Sequence, residues 1–282
     1  MTLREWLDWG EAQLGAGPHP ERARRDAETL LLHLVGKNRA WLIASVNDDF
    51  AGCTAIRYAS LLERRRKGEP IQYIAGETEF YGLPFRVTPD VLIPRPETEH
   101  LIEKVLELAT SFQQPRIVDI GTGSGAIAVA LAHHLPQAQI TATDISEPAL
   151  AVARENAERN GVAGRLRFLQ GDLLVPVADR QFDIVVSNPP YVSSADRESL
   201  SLEVRDHEPA QALFAGDEGL TIYRRLIPAA FAALAPGGFI ALEIGYGQAS
   251  AVQALLGDSG FRDTKLTPDL QRIPRVATGS RP

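Results

Sequence analysis

Cysteine is nearly absent from this chain of 282 residues: Cys53 is the single one, which excludes a disulfide framework and a cysteine-rich metal site. Long apolar runs are missing too. Nothing approaches the roughly 18 consecutive apolar residues of a membrane span. The stretch MTLREWLDWGEAQ carries acids and no apolar centre, so no signal peptide is expected. There is no basic excess: 29 Lys and Arg against 36 Asp and Glu leave a formal charge of −7. Proteins that grip nucleic acid by its phosphates usually show the opposite balance, so no stable nucleic-acid partner is expected. The six histidines include one adjacent pair, His133-His134, in an expected helix. Neighbours in a helix do not share a face, so no metal site is expected. What these absences leave is an ordinary globular composition, 44% hydrophobic and 23% charged, with the cytoplasm as the expected compartment, no membrane partner and a monomer as the expected state.

What is present changes character along the chain. Residues 1–75 read as a small helical bundle. TLREWLDWGEAQLG spaces Leu3, Trp6, Leu7 and Leu14 near helical period, and ERARRDAETLLLHLVG is a second helix stopped by Gly36. TAIRYASLLERRRKGE is another, ended by Gly68 and Pro70; its Arg64-Arg65-Arg66-Lys67 run reads as a solvated helix end, where cations are favourable. Residues 76–98 hold short apolar-aromatic runs broken by Gly82, Pro84, Pro89, Pro94 and Pro96. Glu79-Phe80-Tyr81 and Phe85-Arg86-Val87 suit a β-hairpin, expected as a linker. In residues 99–282 strands and helices alternate. RIVDI, QITATDI, RLRFLQ, FDIVVS and FIALEIG are strands with helices between them, followed by FRDTKLTPD and RVATGSR. The expected architecture is α/β, a Rossmann-like sheet of seven mostly parallel strands covered on both faces. Ligands of such sheets bind beyond the carboxyl ends of the strands, where the strand order reverses.

Asp119-Ile-Gly-Thr-Gly-Ser-Gly-Ala126 follows a strand and opens a helix. Glycine lets such a turn bend tightly and approach a ligand. Gly121, Gly123 and Ala126, with Asp144 ending the next strand, satisfy the relaxed dinucleotide fingerprint, so a nicotinamide dehydrogenase is one reading. S-adenosylmethionine is the other. Gly125 falls where a methionine moiety would lie near the chain. Asp119 suits a sulfonium and an ammonium better than a pyrophosphate. Asp144 can accept from ribose hydroxyls, and Asp172, in the turn after the third strand, from an adenine amino group.

The fourth strand ends in SNPPY, beside that crevice. Methylating a planar nitrogen requires its lone pair to be freed from conjugation and aimed at the methyl group. Two acceptors holding its N–H groups do this: the Asn188 side-chain carbonyl and a backbone carbonyl, that of Pro189. Both residues precede a proline, which restricts their backbones. Tyr191 offers a flat face to an amide, with cation–π support near a sulfonium. Catalysis is then orientation and electrostatics.

SNPPY together with DIGTGSGAIA resembles the class I methyltransferases that modify planar nitrogens, among them DNA adenine, rRNA guanine and protein glutamine enzymes. The stretches LIPRPETE, EVRDHEPAQALFAGDEGLTIYRRLI, LEIGYGQ and RVATG narrow the resemblance to the release factor glutamine methyltransferases of the HemK/PrmC type, over nearly the whole chain. That resemblance implies S-adenosylmethionine as methyl donor and the glutamine of a release factor's Gly-Gly-Gln motif as acceptor. A ribosomal-protein glutamine or an exocyclic amino group of DNA or rRNA is the alternative. It implies a helical N-terminal domain that docks the release factor, joined by the hairpin to the catalytic domain. By motif position, Gly121, Thr122, Gly123, Ser124, Gly125, Asp144, Asp172, Leu173 and Asn188 would line the cofactor. Asn188, Pro189, Pro190 and Tyr191 would hold the glutamine, with Arg95 and Glu97 at the border. Leu173 stands where the family often has an aromatic residue, so adenine would pack there on an aliphatic side chain.

Overall fold

Thr2 starts the first helix. Its hydroxyl accepts from the Glu5 amide (3.3 Å) while the Glu5 carboxylate accepts from the Thr2 amide (2.9 Å), so two donors left over at the helix end are satisfied reciprocally. The computed structural model describes residues 1–49 and 52–282. It forms two units, Met1–Glu77 with Leu200–His207, and Thr78–Ser199 with Glu208–Pro282. No helix among the described residues is long and apolar enough to cross a membrane.

The first unit is helical: α1 Leu3–Gly15, α2 Ala23–Val35, α3 Arg39–Ser45, α4 Cys53–Arg66 and α5 Ile71–Ala75. Leu3, Leu7 and Leu14 of α1 meet Leu30 and Leu31 of α2 and Leu62 of α4 in one core. The buried Tyr58 hydroxyl donates to the Ala27 carbonyl at 2.9 Å. A Cβ on Gly10 would stand 2.6 Å from that hydroxyl, so α1 needs glycine where α4 passes.

The basic run at the end of α4 departs from its expected reading at one residue. Arg64, Arg66 and Lys67 pair with exposed or half-buried glutamates, as a solvated helix end would. Arg65 is only 3% exposed. Its guanidinium donates to Asp26 at 2.7 Å and to the Glu69 carbonyl at 3.0 Å, and it also pairs with Glu203 of the late segment Leu200–His207. Helical period turns one of four consecutive residues inward, and Asp26 waits there on α2.

The second unit begins with the hairpin β1 Glu77–Phe80 and β2 Leu83–Arg86. Then follow α6 Glu99–Ala109, β3 Arg116–Ile120, α7 Ala126–His134, β4 Gln139–Asp144, α8 Glu147–Arg159, β5 Leu166–Gln170 and β6 Phe182–Ser187. After α9 Leu202–His207, which belongs with the first unit, come α10 Ala210–Leu213, α11 Thr221–Ala233, β7 Leu234–Glu243, α12 Ala249–Asp258, β8 Arg262–Pro268 and β9 Pro274–Ser280. The sheet order is β5-β4-β3-β6-β7-β9-β8, parallel from β5 to β7 and antiparallel at β9 and β8. Alternate residues feed two cores, as a pleated strand demands. Ile117, Ile184, Val186 and Ala241 join α6, α7 and α8 on one face, where Phe80 and Phe85 of the hairpin are also buried. Val118, Val185, Ile240 and Leu242 join α11 and α12 on the other.

β7 is longer than its apolar run suggests. Leu234 pairs with Phe182 and Phe239 with Ile184, so Pro236, Gly237 and Gly238 lie in an irregularity of the ladder. Proline and glycine there read as a strand breaker, although sheets tolerate both at a bulge.

Candidate active site

Chain order reverses between β3 and β6, the two central neighbours. Their register pairs Ile120 with Ser187, and the Ser187 hydroxyl donates to the Ile120 carbonyl at 2.6 Å. The residues following both strands therefore emerge side by side. A cavity of about 340 Å³ lies over these ends. Gly121, Gly123, Asp144, Asp172, Leu173, Asn188 and Pro190 all line it, from four different strand ends.

The three glycines of the loop do different work. Gly121 and Gly123 have φ of +70° and +56°, and a Cβ added to either would meet nothing within 4 Å. They supply a left-handed turn and leave the space beside it open. Gly125 also has positive φ (+80°), but its Cβ would lie 3.0 Å from the Ala153 Cβ. Its missing side chain lets α7 pack on α8, and Gly125 itself is outside the cavity lining. Thr122 and Ser124, expected at the cofactor, are buried and outside the lining. The Thr122 hydroxyl donates to Asp119 (2.6 Å), and the Ser124 carbonyl accepts from Asn156 (2.9 Å).

Two carboxylates shape the loop. Asp144 accepts from the Gly123 amide at 2.8 Å and the Ser146 amide at 2.9 Å, which ties the loop to the end of β4. Burial raises its pKa against the pull of these amides. Asp119 has no exposure at all. Burial pushes its pKa up to about 7, aided by Asp144 and opposed by the Thr122 hydroxyl and the Ala128 amide. Its Oδ1 completes no hydrogen bond among the described residues. An acid held at this cost at the start of a cavity loop suits a cationic ligand.

On the far side, Asp172 is ion-paired with Arg225, and both line the cavity. Leu173 has φ of +50°, an uncommon backbone for leucine that recurs at ligand sites. Its carbonyl accepts from the Thr143 hydroxyl at 2.9 Å, which holds it there.

Asn188 lines the cavity and donates through Nδ2 to the Thr98 hydroxyl at 3.1 Å. Pro189 is buried and Tyr191 half-buried, and neither lines the cavity. Tyr191 is clamped. Its carbonyl accepts from Gln248 Nε2 at 2.9 Å, while Gln248 Oε1 accepts from the Gly245 amide at 3.0 Å. A Cβ on Gly219 would fall 2.2 Å from the Tyr191 carbonyl oxygen, and one on Gly245 2.9 Å from its ring. The Tyr191 hydroxyl donates to Glu243 at 3.3 Å. Glu243 is 2% exposed, and burial pushes its pKa up to about 7, with Glu97 adding to the rise and Thr98, Tyr191 and Arg275 opposing it. Burial, with Glu243 beside it, also raises the Tyr191 phenol.

Arg95 is paired with buried Glu208, and Glu97 is exposed; neither lines the cavity. Thr98, Glu243, Gly245, Gln248, Gly219 and Arg225 were not foreseen as site residues. Their signal was present in LIPRPETE, LEIGYGQ and GDEGLTIYRR, but nothing in a single strand or turn announces contacts made between positions as far apart as Thr98 and Asn188.

A mostly parallel sheet with this strand order and a glycine loop at its switch point is a Rossmann-like fold. Residues 5–76 match the PrmC N-terminal domain and residues 97–206 the Methyltransferase small domain. The release factor glutamine methyltransferase of Moorella thermoacetica is 45% identical over 95% of each chain. That of Koribacter versatilis is 43% identical over 100% of this chain and 99% of its own. Among solved structures, the hMettl16 catalytic domain in complex with an RNA hairpin shares the fold, with a TM-score of 0.60 at 16% identity over 89% of this chain and 91% of that one. The chain belongs to the release factor glutamine methyltransferase family.

Proposed function

We propose that this enzyme methylates the side-chain amide nitrogen, N(5), of the glutamine in the Gly-Gly-Gln motif of peptide-chain release factors, with S-adenosylmethionine as methyl donor. The observation that carries the reading is the placement of Asn188 and Pro190 in the wall of the cavity that also holds Gly121, Gly123 and Asp144. The residues fit the donor. Gly121 and Gly123 leave a cradle that any Cβ would fill, Asp144 lines it with a carboxylate, and the spare oxygen of Asp119 lies at the start of the loop. Asp172 and Leu173 would meet the adenine end.

The donor supplies an electrophilic methyl group; the chain supplies orientation. An amide nitrogen is a poor nucleophile while its lone pair is conjugated. Asn188 and the Pro189 carbonyl would accept its two N–H groups, holding the nitrogen in place and stabilising the positive charge that develops on it. Gln248, Gly219 and Gly245 hold Tyr191 in place, and its ring would stand beside the amide. The helical unit, which matches the PrmC N-terminal domain over residues 5–76, would dock the release factor. Arg95 and Glu97 would border its approach.

The test offers the purified enzyme and labelled S-adenosylmethionine an unmodified release factor, a ribosomal protein and rRNA in parallel. Label on the release factor alone is the expected result. Label on rRNA, or on the ribosomal protein in preference, would overturn the substrate assignment.

A further inference from the structure

Proline has no backbone N–H, so Pro189 and Pro190 cannot be tied down as donors, and the SNPPY loop depends on anchors at its two ends. Upstream, the β6 ladder and the Ser187 hydroxyl on the Ile120 carbonyl hold the chain. Downstream, the Val192 amide donates to the Leu213 carbonyl at 2.9 Å, and the Val192 carbonyl accepts from the Ala215 amide at 2.9 Å. Between these anchors the Tyr191 carbonyl accepts from a side chain, Gln248 Nε2, at 2.9 Å.

Gln248 immediately precedes α12, yet its side chain forms no cap on that helix. It joins the turns after β6 and β7 to the turn before α11 instead. Oε1 accepts from the Gly245 amide at 3.0 Å, and Nε2 donates to the carbonyls of Tyr191 and Gly219, at 2.9 Å and 3.2 Å. The backbone is cut away around this group. A Cβ on Gly219 would stand 2.6 Å from Nε2, and one on Gly245 2.7 Å from Oε1. The three bonds demand one acceptor and two donors in a fixed fork. A primary amide supplies them, whereas an ionised carboxylate only accepts and Lys and Arg only donate. Asparagine carries the right group on a stem one methylene shorter.

We propose that Gln248 is a positioning residue for amide methylation. By holding the Tyr191 carbonyl it fixes the Pro189-Pro190 backbone, and with it the Pro189 carbonyl that accepts a substrate N–H. The proposal rests on the role given to Pro189 above. Ring closure locks φ at Pro190, and Pro189 is further restricted because it precedes a proline. Few free torsions therefore separate the two carbonyls, and a shift at Tyr191 is passed on to Pro189. Gln248 does not line the cavity, so its effect reaches the acceptor amide and leaves the donor's cradle as it is.

The experiment uses the full chain with an unmodified release factor. Gln248→Met keeps the length of the side chain and removes all three bonds. It should lower kcat by about tenfold to a hundredfold, the scale of a misplacement of about 1 Å, with KM for the release factor and S-adenosylmethionine affinity by calorimetry unchanged. Gln248→Glu has nearly the shape of the native residue and serves if Gln248→Met folds poorly. Ionised, it keeps the Gly245 bond but sets a carboxylate against two carbonyls; protonated, it can donate to one of them. Its kcat, divided by that of wild type at each pH, should therefore be low at high pH and recover as pH falls. Asp119 and Glu243, raised to about 7 by burial, are present in both proteins and cancel in the ratio. Gln248→Met should show no such recovery. Wild-type kcat in Gln248→Met, a loss that falls on donor affinity instead, or a Gln248→Glu ratio indifferent to pH would each overturn the positioning role alone. A wild type that leaves every glutamine unmodified would overturn the function on which it rests.

Discussion

Asp119 shows at the scale of one residue how a site departs from good packing. A polar loop would satisfy the chain; instead a carboxyl is buried with one oxygen unfilled and its pKa at about 7. Its folded value lies above its ordinary value of 3.8, so the folded state binds the proton more tightly than the unfolded one. The stability that this confers is complete below about pH 4 and is lost as pH rises through about 7. Asp119→Asn should therefore flatten the fall of stability across that window, which thermal melts at a series of pH values will show; an unchanged slope would contradict the burial assigned to it. Asn188→Ala tests the site itself. It should lower kcat on the order of a hundredfold, as loss of an oriented transition-state hydrogen-bonding group does, with cofactor affinity by calorimetry left intact. Residues whose chemistry stands beside a motif were legible here: Gly121, Gly123, Asp144, Asp172 and Asn188 all line one cavity. Glu243 and Thr98 were not, because a glutamate late in a strand and a threonine before a helix carry no local sign of the partners they meet, Tyr191 and Asn188.

Elements were legible where period and punctuation agree. FDIVVS is the strand Phe182–Ser187 to the residue, since apolar alternation ends at a proline pair. β7 was shortened because Pro236 and Gly237 mimic a break. The loop before α7 hides two kinds of glycine behind one spacing, and substitution separates them. Gly125→Ala forces a Cβ to 3.0 Å from Ala153 and should destabilise the fold by about 1–3 kcal/mol in urea melts, the cost of overpacking plus a left-handed alanine. Gly123→Ala meets nothing within 4 Å. It should cost only about 1–2 kcal/mol of backbone strain and instead weaken S-adenosylmethionine binding, by filling the cradle. Equal effects of both substitutions on stability and binding would contradict this division.

At the scale of the whole molecule, the sequence reads as a helical region 1–75, a hairpin linker 76–98 and a catalytic region 99–282, and nothing in it places Leu200–His207 with the helical unit, where that segment lies. That segment sits between strand-forming stretches in sequence, and its Glu203 meets the buried Arg65 guanidinium, which also holds Asp26, as well as His19 (3.3 Å) and Arg22 (3.7 Å). Arg65→Ala leaves Asp26 buried without that cation and deprives Glu203 of it too. Loss of one member of a buried pair costs about 3–5 kcal/mol. The helical unit should melt earlier and the segment Leu200–His207 should become a protease site. Unaltered melting and digestion would mean the pair is dispensable. Charge also belongs to this scale: −7 over 282 residues favours a protein acceptor over a phosphate backbone. The measurement that bears most directly on the enzyme is site-resolved mass spectrometry of an unmodified release factor after incubation with S-adenosylmethionine and either wild type or Asn188→Ala. One methyl group on the side-chain nitrogen of the Gly-Gly-Gln glutamine, present with wild type and nearly absent with the variant, is the expected result; a methyl group on any other residue, or equal methylation by both proteins, would contradict it.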